Sequence, residues 1–308
     1  MILEPLVLAL SLIVDRGIGD PHSPYHPVAL AGRFIGWWGR PGCWTPAAQR
    51  LAGVLFWFLT LVLFALPFYL FGRFAPWYLY LLIGPFLLKC CFAWRSLEEH
   101  TQAVVSSVHR DLVRARDHAG MLVSRDTAAL GPDQVLSAAY ESMTENLVDS
   151  IIAPLLYFGI FGLTGAAVYR AANTMDAMLG YRDERARMGW WSARMDDLFN
   201  FLPARVTGIL LLAYFALKGR GGPAYHVLIR DRKKRPGING GIPMAIMAGG
   251  VGIRFEKPGV YSIGDGERSL FEAGSDIVRA VRVITITFSV LVIGTLILWV
   301  YLANMYGI

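Results

Sequence analysis

The chain has 308 residues, of which 55% are hydrophobic and only 17% are charged. A soluble domain carries about 25% charged residues, so this composition excludes an ordinary soluble globular protein. The net charge is +6, but the basic residues are spread over several loops and match no nucleic-acid-binding motif. Nucleic acid is therefore not an expected partner, whereas basic loops beside apolar segments are typical of membrane proteins.

Long apolar blocks indicate the class of protein. Residues 51–72, 76–94 and 283–303 are each about 20 residues long, enough for a helix to cross a hydrocarbon core of about 30 Å. The N-terminal apolar stretch has neither a basic region nor a cleavage site, so it predicts a partly inserted or interfacial helix. We predict an all-α, polytopic integral membrane protein with about four to six membrane segments, some of which can be re-entrant. Amphipathic interfacial helices and a small C-terminal hairpin complete the predicted fold.

No repeat or linker divides the chain, which predicts a single membrane domain over residues 1–308. Its predicted parts are a polar loop (15–50), a transmembrane hairpin turned at 73–75 (51–94), amphipathic and acidic helices (95–150), an embedded core with charged motifs (151–217), a polar Gly-rich region (218–282) and a C-terminal transmembrane helix (283–303). Apolar residues at steps of three and four predict one amphipathic helix over 95–123. A second helix is expected to begin at Pro132 and to run to about Asp149.

The membrane topology has two alternatives. Residues 151–169 contain Pro154 and three glycines, and the apolar run 206–217 is short for a span. Each segment either crosses the membrane or re-enters, as irregular backbone does where it lines a protein cavity. If neither crosses, all charged motifs share one face. We favour that arrangement, with the charged loops on the cytoplasmic side of the cell membrane.

Acidic residues form the first candidate motif. Glu141, Glu145 and Asp149 follow at i, i+4 spacing and are expected on one helical stripe. Like charges at this spacing destabilise a helix by about 0.2–0.5 kcal/mol per pair, so solvent, an arginine or a divalent cation has to offset the repulsion. An acidic solvated face is the alternative. Because the stripe runs into an apolar segment, we interpret these three acids and Asn146 as catalytic.

The second motif follows the apolar run directly. Arg170, Asn173 and Asp176 recur every third residue and share a helical face. An ionisable group at bilayer depth costs about 2.5–3.5 kcal/mol on insertion scales and usually has a function. An interfacial anchor is the alternative, because arginine can extend its head group to the membrane surface.

Arginines alternate with paired aspartates in the third motif. Arg182 and Arg185 precede Asp196, Asp197 and Asn200. Carboxylates suit a Mg²⁺ that keeps several waters and bridges phosphates, and arginine contacts phosphate bidentately. The candidate Mg²⁺ ligands are Asp176, Asp196 and Asp197, and the candidate substrate- or phosphate-binding residues are Arg170, Asn173, Arg182, Arg185 and Asn200. A surface salt-bridge network remains the alternative.

Two loops supply further candidates for substrate or phosphate binding. The N-terminal polar loop contributes Asp15, Arg16, Asp20, His26 and Arg33. The Gly-rich region contributes Asn239, but it contains no Walker A sequence. A short helix capped by Gly249 and a hairpin turned at 258–259 are the expected local structures there. Cys43, Cys90 and Cys91 lack the spacing of a zinc or redox site.

Taken together, these stretches resemble the CobD/CbiB family, the adenosylcobinamide-phosphate synthases of cobalamin (vitamin B12) biosynthesis. The resemblance rests on DRGIGDP, SRDTAAL, ESMTENLVDSIIAPLLY, YRAANTMDAMLGYRDER, SARMDDLFNFLPAR, NGGIPMAIMAG and KPGVY. It covers nearly the whole chain. Departures occur at Asp149-Ser150, where the family has Asp-Gly, and over residues 237–243.

The resemblance implies ATP-dependent amide bond formation, with ATP and Mg²⁺ as cofactors. A propionate carboxylate of adenosylcobyric acid would be joined to the amine of aminopropanol or (R)-1-aminopropan-2-yl phosphate. A carboxylate is a poor electrophile, so activation by ATP requires cationic contacts to phosphate and a base for the amine. Membrane lipid surrounds such a protein, and its expected protein partners are a second copy of the chain or other corrinoid-pathway enzymes. A corrinoid or cobalt transporter component and a regulatory membrane protein remain alternative functions.

Overall fold

The computed structural model describes residues 2–20 and 23–307, so Pro21, the last residue of DRGIGDP, lies outside the described residues. Regular structure in the described part is helical apart from one two-stranded hairpin, which confirms the predicted fold class. In chain order the elements are α1 (Glu4–Ile18), α2 (Pro27–Trp38), α3 (Gln49–Phe74), α4 (Trp77–Lys89), α5 (Trp94–Ser107), α6 (Leu112–Gly120), α7 (Pro132–Asn146), a π-helical segment (Leu147–Ile152), α8 (Ala153–Leu179), α9 (Trp190–Phe199), α10 (Phe201–Leu217), α11 (Gly221–Asp231), α12 (Gly241–Val251), β1 (Phe255–Lys257), β2 (Tyr261–Ile263) and α13 (Leu270–Tyr306). A short 3₁₀ turn, Pro41–Cys43, lies between α2 and α3.

Several helices are long and apolar enough to cross a membrane. Among the described residues these are Gln49–Phe74, Trp77–Ser107, Pro132–Leu179 and Leu270–Tyr306, and a fifth arises if α9 and α10, bent by 42°, count as one span. Only 28% of the most apolar window of α3 is buried by protein, so most of its side chains suit contact with lipid. The chain is therefore a multi-pass α-helical membrane protein.

The chain divides into two compact units. The first comprises the residues up to Ala93, Ala153–Asn200 and the residues from Ser289 onwards. Within it α1 packs on α4, and α8 packs against α2, α3 and α9. Gly53 permits a close approach, because a β-carbon there would lie 2.2 Å from the carbonyl oxygen of Met188.

The second unit comprises Trp94–Ile152 and Phe201–Phe288. In this unit α10, α11 and α12 pack together, α5 packs on α6 and α7, and α7 packs against β1. The antiparallel hairpin pairs Phe255 with Ile263 and Lys257 with Tyr261, which confirms the turn predicted at 258–259. It places Tyr261 beside α7, where the predicted acidic stripe begins.

A buried carboxylate ties the end of α11 to the hairpin. Asp231 is fully buried, and its Oδ2 accepts a hydrogen bond of 2.9 Å from the backbone N–H of Gly264. Arg230 and Lys234 pair with the same side chain at 2.8 and 2.7 Å. Burial favours the protonated acid, but these donors more than offset it and hold the pKa of Asp231 well below its usual range.

Two predicted helices have different bounds in the structure. The single amphipathic helix expected over 95–123 is two helices, α5 and α6, because Asp111 caps α6 by accepting a 3.0 Å hydrogen bond from Arg114 N. The helix at the Gly-rich region is capped by Gly252 in the left-handed conformation and not by Gly249. Gly249 lies inside α12, where a β-carbon would meet the carbonyl oxygen of Pro223 at 2.5 Å.

The predicted acidic helix begins at Pro132 as expected, but its regular α-helix ends at Asn146. Glu141 and Glu145 therefore lie on one α-helical stripe, whereas Asp149 lies in the π-helical segment. The prediction of a stripe reaching Asp149 is wrong for that reason. Single π-helical turns occur often at functional sites.

The apolar segment with two predicted topologies is a broken helix. Gly162 interrupts α8 with a φ of 64°, a conformation that glycine adopts without a steric penalty. This break lies within residues 151–169, the segment in which Pro154 and three glycines left both topologies open. The position of the break is consistent with either a kinked crossing or a re-entrant turn.

Candidate functional site

The charged motifs gather into three clusters, each contained within one unit. The Glu141 cluster, in the second unit, consists of Arg125, Ser137, Glu141, Glu145, Arg235, Lys257 and Tyr261. At its centre the buried carboxylate of Glu141 accepts hydrogen bonds from Ser137 Oγ at 2.5 Å and Tyr261 OH at 2.6 Å. Arg125 Nη2 lies 3.3 Å from the same carboxylate. Glu141 is thus held from three sides by Ser137, Tyr261 and Arg125.

Arg125 has unused hydrogen-bonding capacity. Its side chain is only 12% exposed, and Nε and Nη1 are buried without a hydrogen-bond partner. A buried polar group left unsatisfied costs about 1–3 kcal/mol, so a ligand that accepts these two N–H groups would be strongly favoured. A planar guanidinium with free nitrogens suits a phosphate or carboxylate.

Glu145 extends the cluster along α7. Its carboxylate, 30% exposed, forms an ion pair with Arg235, which also hydrogen-bonds to Tyr261. Arginines therefore offset both charges of the α-helical stripe, one of the three solutions that the sequence left open. Burial lowers the pKa of Arg235, while the charge of Glu141 opposes that shift.

The pKa values of two further groups reflect the same surroundings. Burial, with the positive charge of Arg125 adding to it, lowers the pKa of Lys257, although Glu141 opposes the shift. Burial and the charge of Glu141 raise the pKa of Tyr261 well above its usual range, so its hydroxyl stays protonated and donates. The cluster therefore contains three basic side chains and two carboxylates. Because the basic side chains outnumber the carboxylates, the cluster suits an anionic ligand.

Asn146 makes a local network on the same helix. Its Nδ2 donates to Ser142 O at 3.0 Å, and its Oδ1 accepts from Ser150 Oγ at 2.7 Å. These bonds connect the last turn of α7 to the π-helical segment that carries Asp149. Of the four residues predicted to be catalytic, Glu141 and Glu145 belong to the Glu141 cluster.

The aspartate cluster lies in the first unit. It consists of Asn173 and Asp176 on α8, Asp196 and Asp197 on α9, and Asn200 at the end of α9. Asn173 Nδ2 donates to Asp196 Oδ1 at 3.4 Å and Asn200 Nδ2 to Asp196 Oδ2 at 3.0 Å. Asn200 is buried and accepts a 2.8 Å hydrogen bond from Tyr169 OH. Asp176 lies within electrostatic range of both Asp196 and Asp197.

Oxygen donors of this kind suit Mg²⁺, which usually takes one or two carboxylates and completes its shell with water and phosphate oxygens. Within residues 2–20 and 23–307, no three His, Cys, Asp or Glu side chains come together as a ready metal site. The three predicted aspartates are therefore not brought together as one three-carboxylate site. The donor set fits a Mg²⁺ held by one or two of them.

The Lys89 cluster, also in the first unit, consists of Asp15, Asp20, His26, Lys89 and Arg170. Lys89 is buried at the end of α4, and its Nζ lies 3.1 Å from Asp15 and 2.5 Å from Asp20. It also donates to Phe92 O at 3.2 Å. Asp15, which lies in α1 and not in the predicted polar loop, and Asp20, which follows α1, thus converge on one buried cation.

His26 caps α2, since its Nδ1 accepts a 3.3 Å hydrogen bond from Val28 N. Burial lowers the pKa of His26, Asp20 opposes this shift, and Lys89 and Arg170 add to it. His26 Nε2 and Arg170 Nε are both buried without a hydrogen-bond partner. The structure therefore brings Arg170 together with the predicted N-terminal loop residues.

Arg185 is fully engaged within its own loop. Its Nε and Nη2 pair with Asp183, its Nη1 donates to Met178 O at 3.1 Å, and the guanidinium lies 3.9 Å from the Tyr181 ring centroid. Hydrogen bonds from Arg185 lower the pKa of Asp183 to about 2. This is the salt-bridge arrangement that the sequence offered as the alternative.

The remaining predicted binding residues are Arg16, Arg33, Arg182 and Asn239. Arg16 and Arg182 are exposed. Arg33 lies in α2 and not in the predicted polar loop, and its Nη2 donates to Pro24 O, before that helix, at 2.8 Å. Asn239 Oδ1 accepts a 2.8 Å hydrogen bond from Arg205 Nη1.

Sequence reasoning missed six charged or polar residues of these clusters: Lys89, Arg125, Ser137, Arg235, Lys257 and Tyr261. Signals for three were present, because Arg125 lies in SRDTAAL, and Lys257 and Tyr261 lie in KPGVY. Lys89 was a lone cation at the end of an apolar run, a position that usually marks a paired and functional group.

The helical spans define a polytopic α-helical membrane protein, and its described residues contain three charged clusters. The chain matches the family model described as "CobD/Cbib protein" over residues 8–303. It is 39% identical over 266 residues to "Probable cobalamin biosynthesis protein CobD" of Methanothermobacter thermautotrophicus, covering 85% of this chain and 87% of the relative.

The protein of the same name from Thermococcus kodakarensis is 41% identical over 283 residues, covering 91% of this chain and 90% of the relative. "Cobalamin biosynthesis protein CobD" of Dehalococcoides mccartyi is 35% identical over 277 residues, with coverages of 86% and 88%. No solved structure matches the chain. The chain belongs to the CobD/CbiB family.

Proposed function

We propose that this chain acts in cobalamin biosynthesis as an ATP-dependent amide ligase. It joins a carboxylate of adenosylcobyric acid to the amine of aminopropanol or (R)-1-aminopropan-2-yl phosphate. Family membership supports the pathway. The observation that carries the chemistry is Arg125, whose two unpartnered and buried N–H groups suit a phosphate or carboxylate.

In this proposal the reaction has two steps. The corrinoid carboxylate attacks the γ-phosphorus of ATP, which releases ADP and gives an acyl phosphate. The amine then attacks the acyl carbon, the C–O bond to phosphate breaks, and an amide and inorganic phosphate leave. The amine loses one proton in this second step, so a carboxylate able to accept it is required.

The Glu141 cluster supplies groups for both steps. Arg125 binds an anionic oxygen of a substrate, and Glu141 holds Arg125 in place through Nη2. Glu145, whose side chain is 30% exposed, accepts the proton of the amine. Arg235 and Lys257 add positive charge that stabilises phosphate oxygens as they gain negative charge.

The aspartate cluster is the proposed Mg²⁺ site, with Asp176 and Asp196 as ligands. Bound Mg²⁺ would neutralise and orient phosphate oxygens. Asn173 and Asn200 fix the orientation of Asp196 through their amide nitrogens. If the chain were instead a regulatory membrane protein that only senses corrinoid, it would contain the same cluster but would not turn over ATP.

The experiment uses the purified full chain in detergent with adenosylcobyric acid, ATP, Mg²⁺ and each amine in turn. Mass spectrometry identifies the corrinoid product, and a coupled assay measures ADP. We expect one ADP for each amide formed and no product when ATP or amine is omitted. A chain that moves corrinoid across vesicles, but forms no amide with either amine, would contradict the proposal and indicate a transporter.

A further inference from the structure

A second basic site in the second unit lies apart from the residues of the Glu141 cluster. It is a cavity of about 300 Å³ at the end of α10, and its walls include Tyr214, Lys218, Arg220, Arg268, Asp276 and Arg279. Tyr214 is in the last turn of α10 and Lys218 follows that helix, while Asp276 and Arg279 lie in the first turns of α13.

The cavity has an excess of positive charge. Four cationic side chains line it together with one acid, Asp276. That acid is shared, since Arg268 Nη1 lies 2.8 Å from one oxygen and Arg279 Nη1 lies 3.3 Å from the other. Arg220 pairs with Glu267 at 3.0 Å, which leaves Lys218 and the weakly paired Arg279 as cations available to a ligand.

Exposed apolar side chains also lie close to the cavity residues along both helices. Leu217, the last residue of α10, is 90% exposed and directly precedes Lys218. On α13, Val283 and Ile286 are exposed one and two turns beyond Arg279. In a membrane protein such side chains suit acyl chains, and basic residues with a tyrosine at the edge of an apolar span are typical of the lipid head-group region.

We propose that this cavity binds the phosphate of an anionic lipid head group, with Lys218 and Arg279 as the principal contacts. The exposed Leu217, Val283 and Ile286 favour a lipid over a free phosphate, because they offer a place for the acyl chains of the same molecule. Each Lys or Arg near an anionic head group strengthens binding severalfold, so two of them give about a tenfold or larger preference over a zwitterionic lipid.

The test is native mass spectrometry of the full chain in detergent, with equimolar phosphatidylglycerol and phosphatidylcholine that carry identical acyl chains. We expect the chain to retain phosphatidylglycerol preferentially. The Lys218→Gln/Arg279→Gln variant should lose about tenfold or more of that preference. A charge-retaining Lys218→Arg/Arg279→Lys variant should keep it, which separates lost charge from lost folding.

The matched control is Arg110→Gln/Lys233→Gln, which removes the same charge from two exposed positions of the same unit outside the cavity. It should leave the preference unchanged within about twofold. Equal retention of the two lipids by the wild-type chain would overturn the proposal, as would an equal loss in the control variant. Displacement of phosphatidylglycerol by millimolar inorganic phosphate would assign the cavity to a soluble phosphate instead. Lipid retention needs no turnover, so this result is independent of the ligase proposal.

Discussion

Arg125 reaches Glu141 through Nη2 alone, at 3.3 Å, while its Nε and Nη1 are buried without a hydrogen-bond partner. One nitrogen of the guanidinium therefore fixes its position, and two remain without a hydrogen-bond partner. Glu141 itself is fixed by Ser137 and Tyr261. An arginine held in this way needs little reorganisation when an anion binds, which favours tight binding.

Replacing Arg125 by lysine should weaken the binding of an anionic substrate. Lysine keeps the charge but cannot hold Glu141 and present two further N–H groups in one plane. Hydrogen bonds to charged groups contribute about 1.5–3 kcal/mol, so kcat/KM should fall about tenfold or more, chiefly through KM. Steady-state kinetics of amide formation measure this. Arg114→Lys on exposed α6 is the control, and equal kinetics of the two variants would remove Arg125 from the binding site.

The Glu145→Gln variant should lose turnover while it still folds and inserts. A positioned base typically contributes about 10²–10⁴-fold, and glutamine cannot accept the proton. Steady-state kinetics of amide formation by the purified variant measure this loss. Near-normal activity would limit Glu145 to its ion pair with Arg235. Glu272→Gln, exposed in the same unit, serves as the control.

His26 should make the stability of the chain depend on pH. Its pKa in the folded state is lowered from 6.5, chiefly by burial, so folding favours the neutral ring. This contribution is fully present above about pH 6.5 and is lost as the pH falls towards the folded-state pKa. Protonation would also remove the Nδ1 acceptor of the cap on Val28 N.

The measurement is thermal unfolding in detergent between pH 7.5 and 5, followed by tryptophan fluorescence. His26→Asn keeps a capping acceptor without titrating in this range, so its Tm should decrease less on acidification than that of the wild type. His226→Asn, at an exposed position, should show the wild-type dependence. Parallel pH curves for His26→Asn and the wild type would exclude this contribution.

Gly250 should not accept a side chain. A β-carbon there would lie 2.4 Å from the ring of Phe215, so α10 and α12 would have to separate. Overpacking of this kind typically costs about 1–3 kcal/mol, and the Tm of Gly250→Ala should fall by several degrees. Gly222→Ala is the matched control, because a β-carbon at Gly222 meets nothing within 4 Å. It should leave the Tm unchanged or raise it, since alanine favours a helix more than glycine does.

The class of fold was predictable because apolar length is a local property of the sequence. The start of α7 at Pro132 and the turn of the hairpin followed from local signals in the same way. The partners of each charge were not predictable, since Arg125 and Tyr261 meet Glu141 from 16 and 120 residues away. Spacing alone also assumed a regular α-helix, and the π-helical segment removes Asp149 from the stripe.

The last prediction separates two arginines that the sequence placed in one phosphate site. Arg170 Nε is buried without a partner beside His26 and Lys89, whereas the guanidinium of Arg185 is engaged by Asp183 and Met178 O. An arginine that binds substrate phosphate through its planar fork is not replaced adequately by lysine. An exposed ion pair such as that of Arg185 with Asp183 contributes at most about 1 kcal/mol to the free energy of unfolding.

Arg170→Lys should therefore raise the KM for ATP or the phosphorylated amine, or lower kcat, by about tenfold, the usual size of one lost charged hydrogen bond. Arg185→Lys should stay within about twofold of the wild type, because its contacts are confined to an exposed loop. Both variants keep the net charge, so each controls for the electrostatic effect of the other. Steady-state kinetics with each substrate varied in turn measure the difference. If both variants match the wild type, Arg170 has a structural role beside His26; if Arg185→Lys shows the larger loss, its ion pair with Asp183 opens to bind substrate.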